Sequence, residues 1–275
     1  MGKFIIYDGE SCIGSAEIAF SMAVTSSLVN PEKCLLLHVG RKGDGAEQGI
    51  VPVNRRVGPS YLPLADEGMD ALTRLAASGR LNSRNISDYT LPMISNRLDL
   101  ATGSELSEDM DCAKKEQIYR NIWRAAAGCY ERIYVQGADW RTADSMMAEG
   151  DVAVAVLRQN RVVLEQFFSR LQGMETALIR PCMIAISHYD AFSSLSVRNI
   201  RRMFGSRIPI VGVPYNTGFS NAWNNSEAAA FIQRNLSSSG RSRQNAPFIT
   251  ALKQLVKYSL ALSKSAGSAS DEKGA

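Results

Sequence analysis

Metal and redox chemistry have little to work with in this chain of 275 residues. Its two histidines, His38 and His188, stand far apart, with no cysteine or carboxylate at ligand spacing. Its five cysteines, Cys12, Cys34, Cys112, Cys129 and Cys182, are odd in number and never fall as C-x-x-C. This argues against a metal site and a disulfide framework, and fits reduced thiols in a cytoplasmic protein. Long apolar runs are also missing. None approaches the roughly 20 residues a membrane helix needs, and the stretch up to Tyr7 is too short for a signal sequence. Nor is one sign of charge in excess: a net charge of +4 nominates neither nucleic acid nor lipid. With 45% hydrophobic and 21% charged residues, the composition is that of an ordinary globular protein able to bury a large core.

What the chain does have is a regular alternation of short apolar runs and helical patterns. Residues 3–7, 34–39, 132–136, 151–157, 182–187 and 208–213 read as strands buried on both faces. Between them, residues 15–29, 66–78, 108–128, 161–171 and 195–204 carry helical spacing, and Leu98-Asp99-Leu100 is strand-like. The alternation predicts an α/β fold, a doubly wound and mostly parallel sheet flanked by helices. Its crossovers are right-handed and its ligands sit at the carboxyl ends of the strands. One domain spans residues 1–262, in which 40–64 form a long surface loop and 237–247 a linker before a terminal helix at 248–262; residues 263–275 read as a disordered tail.

The stretch Asp8-Gly9-Glu10-Ser11-Cys12-Ile13-Gly14-Ser15-Ala16 stands where a strand leads through a turn into a helix, the order of a phosphate-binding loop. A working loop reads G-x-x-x-x-G-K-[ST], its Lys on the β- and γ-phosphates and its hydroxyl on magnesium. Gly9 and Gly14 keep that spacing, but Ser15 stands in place of the Lys and Ala16 in place of the hydroxyl. An ammonium about 4 Å from a phosphate charge is worth roughly 4 kcal/mol at an effective dielectric near 20, about a thousandfold in affinity. Backbone N–H groups at a helix start still attract anions, so weak ATP, ADP or phosphate binding stays open.

This order of strands and this loop resemble the ParA/MinD group of P-loop proteins, nearest to its CpaE/TadZ branch of Tad pilus assembly, over residues 3–262. The group's loop reads K-G-G-V-G-K-T-T. On that resemblance Glu10 falls on the first Lys, Ser15 on the second and Ala16 on the magnesium-binding Thr, while Gly14 alone matches. Val39 and Arg41 fall on the group's D-x-D after the second strand, and Gln136 on its metal-side Asp. Loss of the second Lys, the Thr and the three Asp together implies a vestigial nucleotide site with no catalytic residue and no metal. Asp139 and Asp144 offer substitutes, or else a solvated loop and a helix cap. Ser187, Pro214 and Tyr215 fall where the group lines a purine, or simply turn the chain at strand ends.

The resemblance implies a non-hydrolysing localisation or scaffolding factor for a pilus or secretion machine, a homodimer with protein partners. It would be cytoplasmic, with peripheral contact to the inner face of the membrane left open. The alternative is a divergent ATPase that takes its cation from Arg41 or Lys42 and acts in partition or positioning through DNA or a membrane surface. Arg198, Arg201, Arg202 and Arg207, interleaved with Leu195, Ile200 and Phe204, form an amphipathic cationic helix open to phosphates or simply solvated. Phe248, Leu252, Leu255, Val256 and Leu260 give the last helix an apolar face, for the sheet or for a membrane.

Overall fold

Phe4, Ile5 and Ile6 are wholly buried although they point alternately to opposite faces, so the first strand needs a layer on each side. The computed structural model supplies both layers, and is described for residues 2–9, 14–50, 67–105, 112–138, 140–148, 150–173, 182–237 and 243–271. Its strands are β1 (Gly2–Asp8), β2 (Cys34–His38), β3 (Leu91–Ile94), β4 (Leu98–Ala101), β5 (Arg132–Ala138), β6 (Val152–Arg158), β7 (Cys182–Ser187) and β8 (Ile210–Gly212). They form one sheet in the order β3-β4-β2-β5-β1-β6-β7-β8. Every pairing is parallel except that of the edge strand β3, whose Pro92 and short length suit an edge.

The helices are α1 (Ser15–Val29), α2 (Gly68–Ala77), α3 (Cys112–Ala127), α4 (Trp140–Met146), α5 (Arg161–Gly173), α6 (Val197–Phe204), α7 (Thr217–Asn224), α8 (Ala228–Ser237) and α9 (Ala246–Asp271). One sheet face, with Phe4, Ile6, Leu36, Tyr134 and Val154, packs on α1, α7, α8 and α9. The alternate residues Ile5, Leu35, Leu37, Val135 and Ala155 pack on α2, α3, α5 and α6. Because α1 lies between the sheet and the outer helices α8 and α9, most of its residues are buried all round, hence its run of small and apolar side chains. The fold class read from the sequence is the one observed.

Two local readings change. Part of the predicted surface loop is inside: Ala46, Glu47 and Gly49 are buried, and a 3-10 turn over Ala46–Gly49 packs against α1, with Gly49 close to Trp223 and Phe20. His38, the last residue of β2, is 1% exposed because β2 is flanked by β4 and β5. The last helix continues through Asp271, beyond the 262 read as its end. Ser263 Oγ bonds the Gly150 carbonyl at 3.4 Å there, and the small residues that follow fit helix as well as coil. Helices α7 and α8 have no counterpart in the sequence reading. They are short, and α7 starts from a cap the pattern hides, the Asn216 side chain accepting from Phe219 N–H at 2.8 Å.

Candidate functional site

The carboxyl ends of β1, β2 and β5 lie side by side, with His38 and Ile6 both in register with Gln136. Beyond that point Gly137, at φ +93, shifts the register so that Tyr7 pairs with Ala138. Asp8 closes β1 and turns its carboxylate onto the start of α1. Oδ1 accepts from Ser15 N–H at 2.8 Å and Oδ2 from the Ser15 hydroxyl at 2.6 Å. Gly14, the residue before the helix, has no side chain to cap it, so a carboxylate from the preceding strand does so. Burial pushes the Asp8 pKa up, against the hydrogen bonds from Ser15 and the Gly14 N–H that pull it down. Gln136 extends the network: its Nε2 donates to Ser15 Oγ at 3.4 Å and its Oε1 accepts from Ala46 N–H at 3.3 Å.

Beside this network lies a buried acid–imidazole pair. Glu47 places both oxygens 2.9–3.0 Å from His38 Nδ1, and its Oε1 also accepts from Gly43 N–H at 2.6 Å. A carboxylate therefore does accompany His38, contrary to the sequence reading. Burial alone would raise the Glu47 pKa, but the His38 bond and charge and the backbone donors hold it below the ordinary value. The ring is walled by glycines. A Cβ added to Gly40, Gly45, Gly103 or Gly137 would come within 2.7, 2.3, 2.6 and 2.8 Å of it respectively.

A cleft beside α1 is lined by Glu17, Ser21, Ser187, His188, Pro214 and Tyr215 among others, and among the described residues by no Lys or Arg. Of the predicted site residues, Gly9, Gly14, Ser15 and Ala16 cluster at the end of β1, and Pro214 and Tyr215 join Ser187 at the cleft. Glu10, Ser11, Cys12 and Ile13 lie outside the described residues, as does Asp139; Asp144 falls within α4. Val39 is buried and Arg41 bridges to Ser104 through its backbone, while Lys42 Nζ lies 3.8 Å from Glu105. Asp8, Glu17 and Glu47 are given no role in the sequence reading. Asp8 is marked in the sequence only by its place between a buried strand and a helix start, which does not say where its carboxylate turns; Glu47 has no mark at all.

Glu17 supports a first prediction. Burial raises its pKa and outweighs the opposing charge of His188. With the folded value above the ordinary 4.5, the stabilisation this group contributes is present below 4.5 and lost as pH rises through the folded value. Glu17→Gln keeps the neutral form at every pH. It is expected to unfold at a higher temperature than wild type at neutral pH, with the gap closing below about pH 4; differential scanning calorimetry across pH checks this.

Helix α6 exposes Arg198, Arg201 and Arg202 and buries Ile200, as its spacing predicts. Helix α9 lays Phe248, Leu252, Leu255 and Val256 against the core, so its apolar face is docked. Burial raises the Cys34 thiol to about 11 and Cys182 to about 12, which keeps both protonated and unreactive. Among the described residues no cluster of His, Cys, Asp or Glu could hold a metal ion, and no helix is long and apolar enough to cross a membrane.

Solved structures share this architecture. A ParA family ATPase from Chlorobium tepidum superposes with a TM-score of 0.67 at 13% identity, covering 94% of this chain and 98% of that one. The MinC:MinD cell division complex of Aquifex aeolicus gives 0.62 at 14%, covering 94% and 96%. A plasmid partition protein of Borrelia burgdorferi, bound to AMPPNP, gives 0.59 at 12%, covering 94% and 98%. No family model and no curated protein matches the chain. At these identities the likeness establishes the ParA/MinD-type P-loop fold.

Proposed function

We propose that this protein acts without hydrolysing nucleotide, as a localisation or scaffolding factor on a ParA/MinD-type fold, engaging protein partners and a second copy of itself. A Tad-type pilus or secretion machine is the assembly the sequence resemblance favours. The observation that carries the proposal is Asp8: the α1 N-terminus, the natural seat of a phosphate, is already held by a carboxylate of the same chain. The residues around it do not fit magnesium and a triphosphate. Ser15 is engaged by Asp8, Ala16 has no hydroxyl, and Gln136 stands where a metal-side acid would be needed.

Titration of labelled ATP against the pure protein, with and without magnesium, is expected to show no saturable binding up to millimolar ligand. Self-association measured by light scattering is expected to be the same with and without ATP. Micromolar binding of Mg-ATP, or dimerisation that strictly requires it, overturns the proposal in favour of a divergent ATPase. The exposed arginines of α6 keep a phosphate-bearing surface in view as a partner for that second reading, and salt-sensitive retention of DNA or co-sedimentation with anionic vesicles would mark it.

A further inference from the structure

The cleft bounded by α1 and the segments after β7 and β8 has an unusual lining for its place in the fold. Its cavity is about 50 Å3, on a measure by which one buried water needs about 10–15 Å3. That is room for a few waters or one planar headgroup. Glu17 brings a carboxylate into it beside His188, and among the described residues no Lys or Arg lines it. Ser21, 1% exposed, also lines it, and the Ser21 hydroxyl has no hydrogen-bond partner. A buried polar group left in this state is costly, and a ligand able to bond it relieves the cost.

The third element is flat. The His188 ring stacks on Tyr215 with centroids 5.5 Å apart and planes 18° apart. His188 holds this place from a left-handed backbone at φ +51, a conformation a non-glycine residue adopts at some expense. An aromatic face beside a carboxylate attracts a planar cation, through the ring quadrupole and the ion pair together.

We infer that this cleft binds a small planar cation, a guanidinium or amidinium, with Glu17 as counter-ion, the Ser21 hydroxyl as hydrogen-bond acceptor and the His188–Tyr215 stack as the wall it lies against. The same chemistry is offered by a free small molecule and by an arginine side chain of a second copy. Burial disfavours the Glu17 charge in the empty cleft, and a bound cation would oppose that by favouring the charged form. The inference rests on the proposed function only in taking the cleft to be free of nucleotide.

The test is titration of the full chain with benzamidine and with N-acetyl-arginine amide, by calorimetry and thermal shift. Saturable binding is expected, weakened about tenfold or more by Glu17→Gln, as loss of a charged partner requires. Ser21→Ala is expected to weaken binding several-fold while raising the melting temperature of the free protein, a pair of opposite changes that a purely structural hydroxyl would not give. Concentration-dependent self-association that N-acetyl-arginine amide competes away supports the inference and identifies a second copy as the source. Binding of the free cations by a chain that stays monomeric supports it with a small molecule as the source. Binding insensitive to Glu17→Gln overturns the inference, as does adenosine or AMP binding more tightly than benzamidine. Failure of every ligand overturns this inference alone, whereas tight Mg-ATP binding overturns the proposed function with it.

Discussion

Gly45→Ala is expected to destabilise the protein by about 3–5 kcal/mol, a large part of the ~5–15 kcal/mol that holds a typical domain folded. The backbone there is extended, at φ −118, so an alanine is not strained in itself. The cost is steric: the new Cβ would lie 2.3 Å from His38 Nδ1 and Cε1. The ring has no way to retreat, because Gly40, Gly103 and Gly137 close its other sides and Glu47 grips Nδ1. Moving it would strand a buried carboxylate, and breaking a buried pair of this kind costs about 3–5 kcal/mol. His38→Ala is therefore expected to cost a similar amount by the same loss.

The two changes are not expected to add. Without the imidazole, the methyl at 45 enters space the ring has left, so Gly45→Ala in a His38→Ala background costs little. Urea unfolding of the four proteins gives the coupling directly. A coupling energy approaching the full cost of the single change, about 3–5 kcal/mol, identifies the glycines as a fitted sleeve for the ring, whereas additive losses would show that they act independently of it.

How much of this was legible beforehand follows from the range of each interaction. The doubly buried strands announce themselves locally, because every residue in a run such as Phe4-Ile5-Ile6 must be apolar when helices cover both faces. Helix α1 is legible for the same reason. The His38–Glu47 pair is not: its members are nine residues apart, joined by a turn rich in Gly and polar residues that reads as exposed loop, and the glycines that seal it come from that turn and from two other points in the chain. Missing phosphate-binding residues are visible as plain absences at Ser15 and Ala16. What stands in their place is not, because nothing about an Asp after a strand tells whether it faces water or, like Asp8, folds back onto the next helix. Glu17 reads as an ordinary first-turn acid until the loops after β7 and β8 close a cleft around it.

Joint replacement of Asp8 and Ser15 is expected to give this fold an affinity for ATP that neither replacement gives alone. A phosphate charge about 4 Å from the Asp8 carboxylate would be repelled by roughly 4 kcal/mol at an effective dielectric near 20, and an ammonium at position 15 would attract it by a similar amount. Ser15→Lys by itself sets the new ammonium next to the carboxylate that now bonds residue 15, so the charge is spent inside the protein and little affinity appears. Asp8→Ala by itself removes the repulsion and leaves a bare helix terminus, a weak anion site. The Asp8→Ala, Ser15→Lys protein has the attraction without the internal competitor, and the gain over Ser15→Lys alone is expected to approach a thousandfold. Loss of the cap at α1 costs about 1 kcal/mol, small enough for the fold to survive and simple to check by thermal unfolding. Equal ATP affinity in the single and double variants would mean that Asp8 does not guard the site, and the proposed function would lose the observation it stands on.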